Sequence, residues 1–410
     1  MLANRRPSMN SDEALQFHHQ TMVVDSQQPG ITSGVLYTET MHEVMKELVG
    51  EGLSRREINK RLQAVAVREI RERPESAKQY MSMWEESGVN VASGTYAGPH
   101  PPEGAFETSV TAVTQARAII DALGNDQVRL VLTADDIESI YKDGVRGVIL
   151  DFQETAPFGA DLNRIDTFYN MGLRVVQLTY NLRNLVGDGC TERYKTGLTY
   201  YGIEVVNRLN ELGMLVDVSH CSEQVGFDAV KFSTSPVIVT HSASSAVCYH
   251  DRGKSDELAR AIADNGGFFG VAAIGGFLRS DLDATLEDFA DHVQHLVNVM
   301  GIDHVGIGSD KCGPGPGTES YFEFPPELGP FDTSYLYSEK PDPRATPGGF
   351  SWSGFRAEHR LSDDHRIEGF DQFTDWPSIT VKLAERGFSE EELRKILGLN
   401  YLRVFREVVG

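Results

Sequence analysis

The sequence predicts an α/β fold of the (β/α)8 (TIM) barrel class, with a C-terminal helical extension and a long insertion over 313–370. Three observations lead there. Eight apolar runs of strand length recur along the 410 residues, and unbroken apolar strands are those buried on both faces, as in parallel sheets. Amphipathic helical stretches separate them, the alternation that βαβ units produce. Finally, residues able to bind a metal stand at the ends of three runs: His220 in Leu-Val-Asp-Val-Ser-His (215–220), His241 in Val-Ile-Val-Thr-His-Ser (237–242) and Asp310 in His-Val-Gly-Ile-Gly-Ser-Asp (304–310). Barrel enzymes build their sites at the C-terminal ends of their strands, so these side chains are expected to converge on one rim.

In chain order, the candidate strands are 21–25, 89–94, 147–152, 174–179, 214–219, 236–240, 268–272 and 304–309. Helical stretches include 161–172, 198–212, 222–233, 253–265 and 283–299. Residues 41–85 read as a charged helical stretch, broken near Leu53 and Ser54 into two helices with Ser54 as an N-cap. Residues 313–370, rich in Gly, Pro and aromatics, follow the last strand at the rim, where long loops serve as lids or as arms to a partner. Residues 376–407 read as two helices, the second opening on a Ser389–Glu392 capping box. A doubly wound open sheet is the competing fold. No GxGxxG follows a strand, so a Rossmann-type nucleotide site has little support.

Composition narrows the function. A net charge of −22 argues against a nucleic-acid partner, which needs a basic surface. No apolar run approaches the roughly 20 residues of a spanning helix, and the first residues lack the apolar core of a signal peptide. The four cysteines show no CxxC spacing; they are too few for a disulfide framework, and a reducing cytoplasm is the simplest home.

Imidazole and carboxylate are the usual ligands of Zn2+ and related cations, which makes His220, His241 and Asp310 a candidate metal set. Each histidine has a serine neighbour, Ser219 or Ser242. Arg252, after the sixth strand, suits a bidentate grip on a carboxylate, or a surface ion pair with Asp251 or Asp256. His292 and His295 share a helix face expected to lie away from the rim. His18, His19 and His304 fall at the wrong ends of their strands and read as structural.

These motifs, with His250-Asp251-Arg252, Asn265-Gly266-Gly267 and Gly398-Leu-Asn-Tyr-Leu-Arg-Val-Phe405, resemble the membrane (renal) dipeptidase family, peptidase family M19, a branch of the amidohydrolase-like barrels. The resemblance covers about 20–310 and 372–407 and is most specific from the fifth strand to the eighth. It implies a metal-dependent hydrolase barrel domain over 1–410, a homodimer, and two zinc ions bridged by hydroxide. One ion would take a His-x-Asp pair on the first strand with the Asp of the eighth. The other would take the two histidines of the fifth and sixth, and a Glu of the third would bridge them. Here Gln27 and Pro29 stand at the His-x-Asp positions, Gln153 at the bridging Glu, and Tyr180 at a substrate-binding His; His220, His241, Asp310 and the substrate-binding Arg252 match. Proline cannot ligate through its side chain, and a neutral amide is a poor bridge between dications. A register slip of one offers Glu154, which would point away; a slip of two offers Asp151.

The expectation is therefore a reduced site with one divalent metal, Zn2+ or another transition ion, held by His220 and His241 with Asp310 as ligand or general base. Tyr180, Gln153, Gln27 and Arg252 would bind a small carboxylate-bearing peptide or amide. Two alternatives stand beside it: a non-hydrolytic enzyme (decarboxylase, lyase or isomerase) on the same barrel, and a non-catalytic homologue.

Overall fold

The computed structural model describes residues 7–29, 31–32, 38–51, 55–99, 101–280, 284–311, 353–356, 359 and 367–410. Most of the 313–370 insertion, with Ser54 and Cys312, lies outside them. The strands are β1 (Val24–Asp25), β2 (Val91–Thr95), β3 (Val128–Leu130), β4 (Arg146–Phe152), β5 (Leu173–Gln177), β6 (Leu215–Asp217), β7 (Val237–Ser242), β8 (Phe268–Val271) and β9 (Val305–Ile307). Every pairing is parallel, in the order β1-β2-β4-β5-β6-β7-β8-β9. Across the seam, Ser26 N–H donates to the Ile307 carbonyl at 3.0 Å and Asp310 N–H to the Gln27 carbonyl at 2.9 Å. This is the expected (β/α)8 barrel.

Three details differ from the sequence reading. β3 is an additional short strand beside the first half of β4. The 41–85 stretch is three helices, Glu39–Gly50, Arg55–Glu72 and Pro74–Ser87; Pro74 at the first helical position disfavours helical geometry at Arg73 and forces the second break. The C-terminal region forms Trp376–Glu385, then Glu390–Arg394 and Asn400–Val408 joined through a π turn at Lys395–Leu399, with the Ser389 capping box in place.

Side-chain parity divides the barrel. Val24, Val91, Ile149, Val175, Leu215, Ile238 and Phe268, one from each of seven strands, form a single apolar cluster with Tyr401 and Phe405. The intervening residues, such as Val148, Leu150, Val176, Val216 and Val239, pack outward with helical Ile119, Phe168, Leu209, Val225 and Ile262. Two positions further along each strand, the same-facing residues are Ser26, Ser93, Asp151, Gln177, Asp217, Thr240 and Gly270, all buried. The interior thus has an apolar floor under a polar layer, and that layer supports the rim.

At the seam the Ser26 hydroxyl donates to the Thr240 carbonyl (2.6 Å) and the Ile307 carbonyl (3.0 Å). Gly270 and Gly308 make room: a Cβ on either would stand within 2.1 Å of the Thr240 carbonyl oxygen. Among the described residues no helix is long and apolar enough to cross a membrane.

Candidate active site

His220 follows β6 and His241 lies within β7, and the two rings converge with their Nε2 atoms 2.9 Å apart. Their outer nitrogens are already committed. His220 Nδ1 donates to Asn181 Oδ1 at 2.7 Å, an atom that can only accept. His241 Nδ1 lies 2.8 Å from Thr240 Oγ1, whose own proton goes to Asp217 Oδ2 at 2.6 Å. The hydroxyl therefore accepts from the imidazole. With both protons on Nδ1, two Nε2 lone pairs face each other, the pair of neutral donors that a divalent cation would take. Burial holds both imidazoles well below the usual histidine pKa, and the nearby Arg252 charge pushes the same way. The pair is thus neutral and suited to a metal.

Asp217 is the anchor of this arrangement. Its Oδ1 accepts from Ser219 N–H (2.9 Å), the Ser219 hydroxyl (2.5 Å) and Thr240 N–H (3.0 Å). It belongs to the polar layer and fixes the ends of β6 and β7 together. Sequence reasoning passed over Asp217, Thr240 and Asn181; the available signal was their place beside the histidines, in Asp-Val-Ser-His, Thr-His-Ser and Tyr-Asn.

Asp310 lies just past β9 at the mouth, partly exposed, and is the one non-glycine with positive φ (52°) among the described residues. Aspartate tolerates that geometry better than most residues, and such strain clusters at functional sites. Burial pushes its carboxyl up to about 7; Arg252 pulls it back and Asp25 adds to the rise. Among the described residues no three His, Cys, Asp or Glu side chains gather as a ligand set. The structure therefore brings His220 and His241 into direct contact and does not gather Asp310 with them.

Arg252 is fully buried. It donates to the Ser219 carbonyl and, at 3.1 Å, to the His241 carbonyl, while its Nε has no partner among the described residues. Its charge lies behind the ends of β6 and β7. Tyr180 stacks on His220 with centroids 4.1 Å apart and planes at 22°. Gln27 donates to Thr95 Oγ1 at 2.5 Å, and Thr95 in turn to Asp151 Oδ1 at 2.9 Å.

The strand-1 side of the rim carries neutral side chains. Gln27, Pro29 and Gln153 offer no anionic donor. The two alternative carboxylates are engaged elsewhere. Asp151 accepts from Ser93 and Thr95 in the polar layer, below Gln153, and burial raises it to about 7. Glu154 accepts from the backbone N–H groups of Thr155, Ala156 and Tyr180 and from the Asn184 amide, which fixes the turn leading to Tyr180.

Four other histidines are bonded within the scaffold. His18 contacts Thr380 Oγ1 (2.7 Å) and the Ser87 carbonyl (2.8 Å), His304 the Gly267 carbonyl (2.9 Å), and His295 pairs with Asp256 (2.7 Å). His292 is less remote than expected: its Nδ1 accepts from Ser244 N–H at 3.0 Å, bracing the loop that follows β7.

The family described as membrane dipeptidase (peptidase family M19) matches residues 76–319 and 361–409. A Klebsiella pneumoniae protein described as an uncharacterized protein in the pqqA 5' region is 34% identical over 197 residues, 46% of this chain and 73% of that one. Dipeptidase tcpJ of Claviceps purpurea is 27% identical over 289 residues, 70% of this chain and 56% of its own length. The chain thus spans little more than half of that dipeptidase. Among solved structures, an amidohydrolase from Pseudomonas aeruginosa superposes with a TM-score of 0.70 at 25% identity, covering 98% of this chain and 99% of that one.

Proposed function

The chain belongs to the membrane dipeptidase family, peptidase family M19, and on that premise we propose that it hydrolyses a peptide or other amide bond in a small carboxylate-bearing substrate, using one divalent metal ion per chain. The observation that carries the reading is the His220–His241 pair, with Nε2 atoms 2.9 Å apart and both Nδ1 protons committed outward. His220 and His241 would hold the ion, with Asp310 at the mouth as general base. Such an ion, when bound, polarises a carbonyl and lowers the pKa of water.

The protein's own groups supply the rest. Asp310, whose carboxyl is raised above the usual carboxylate range by burial, would accept a proton at one oxygen and return it to the leaving amine. Arg252 places a buried positive charge beneath the site, which favours a substrate carboxylate. Tyr180 walls the pocket against His220 and, with Gln153 and Gln27, offers hydrogen bonds to the substrate carbonyl or the oxyanion that develops from it.

Metal content per chain, measured by elemental analysis before and after dialysis against Zn2+, tests the reading together with product mass. About one ion and a product heavier by one water are expected. Loss of CO2 instead of gain of water would replace hydrolysis with decarboxylation on the same scaffold, and a protein that takes up no metal would be a non-catalytic homologue. Arg252→Ala should raise KM for free dipeptides far more than for their C-terminal amides.

A further inference from the structure

Asn181 touches both the histidine pair and the stretch Ser353–Arg356. Its Oδ1 accepts from His220 Nδ1 at 2.7 Å and from the Cys190 thiol at 3.1 Å, and its Nδ2 donates to the Ser353 carbonyl at 2.7 Å. A carbonyl can only accept, so Ser353 decides which end of the amide faces it: the NH2 turns to Ser353 and the oxygen to His220. An amide turned over would present N–H to Nδ1. The imidazole proton would then sit on Nε2 and occupy the lone pair that a cation needs.

The segment that supplies this carbonyl is fitted to the rim. Ser353, Phe355 and His359 are buried. His250 Nε2 bonds the His359 carbonyl at 2.6 Å, His359 Nε2 stands 3.3 Å from Asp251 Oδ2, and the Arg356 guanidinium reaches the Thr191 carbonyl. Phe355 lies against Phe277 with ring centroids 6.5 Å apart. Gly354 has φ +71°, and a Cβ there would come within 2.8–2.9 Å of Thr191 Oγ1, Asn181 Cβ and Leu182 Cδ2. Only glycine lets the backbone lie so close.

We propose that Asn181 is a positioning residue through which docking of Ser353–Arg356 sets the affinity of the His220–His241 pair for a divalent cation. The inference rests on the reading that this pair holds such an ion. It extends that reading by making metal affinity depend on a segment more than a hundred residues further along the chain.

Titration of the full-length protein with Zn2+ against a chromophoric chelator, at one fixed pH, tests it. Asn181→Ala is expected to weaken zinc binding by about 10–100-fold, the usual cost of losing a partner that orients a ligating histidine. Gly354→Ala, which lifts the segment from Asn181, is expected to weaken it by about tenfold. In the Asn181→Ala background Gly354→Ala should change nothing further, because both act through one bond. Asn181→Asp keeps an acceptor toward His220 whichever way it turns. It should bind zinc at least as tightly as the unaltered protein and ignore Gly354→Ala, a rescue that mere loss of packing would not give. Phe355→Ala serves as the second segment variant should Gly354→Ala fail to fold. Unchanged affinity in both segment variants, or effects that add in full to Asn181→Ala, would overturn the proposal. Zinc bound no better by the unaltered protein than by a His220→Ala/His241→Ala control would overturn the underlying reading, and this inference with it.

Discussion

Trp376 donates its indole N–H to Asp25 Oδ2 across 2.9 Å, tying the first helix of the C-terminal extension to the first strand of the barrel. The same carboxylate accepts from Ser309 N–H at 2.8 Å, the Ser309 hydroxyl at 2.5 Å and Gln27 N–H at 3.2 Å. Asp25 thus joins β1, the residues after β9 and the extension at one buried point. Trp376→Phe keeps most of the packing and removes one donor from a buried acceptor. It is expected to cost about 1–3 kcal/mol of stability, measured by urea unfolding. An unchanged midpoint would show that water replaces the indole.

Thr240 stands between Asp217 and His241, and its hydroxyl transmits the orientation that the carboxylate sets. Thr240→Val preserves shape and removes that hydroxyl. Zinc affinity should fall about 10–100-fold, while Thr240→Ser should retain it. Equal affinity in the valine variant would mean that His241 finds its tautomer without this contact.

Gln153→Glu returns a carboxylate to the bridging position but leaves Gln27 and Pro29 in place. Elemental analysis of this variant should still give about one tightly held ion, since a second would lack its strand-1 ligands. Two tightly held ions would show that β1 supplies ligands after all.

His18 gives the stability a pH dependence separable from the active site. Burial lowers its pKa from 6.5 to about 4, partly offset by its bond to the Ser87 carbonyl, while His19 lowers it further. The folded state holds it neutral, so its contribution is present above pH 6.5 and is lost as pH falls through 6.5 toward 4. The stability difference between the unaltered protein and His18→Gln should therefore shrink by about 2 kcal/mol from pH 7 to pH 5. Unfolding curves at the two pH values measure it, and a constant difference would place the pKa of His18 near its ordinary value.

The barrel was legible because its strands are unbroken apolar runs, and seven of them carry a residue into one interior cluster. β3 escaped because Val128-Arg-Leu130 is three residues long and only Val128 is fully buried. The break at Pro74 was written in the sequence, since proline at a first helical turn restrains the residue before it. At the site, the meeting of His220 and His241 followed from equivalent positions on neighbouring strands. The part played by Asn181 did not. Its partners are a histidine 39 positions away and a carbonyl 172 positions away, and no local periodicity encodes such a meeting. The burial of Arg252 was equally hidden, because its loop is polar in sequence and turns inward only when it packs on β6 and β7.

The Ser26 hydroxyl, wedged beside Gly270 and Gly308 against the Thr240 carbonyl, makes the barrel a blind tube. With side chains filling the space beneath it, as in other barrels of this class, traffic through the strands is closed. Reactants and products then come and go on the rim side. If the protein hydrolyses an amide bond as proposed, the departing fragment stands where the next molecule must arrive, so that fragment should act as a competitive inhibitor of the reaction.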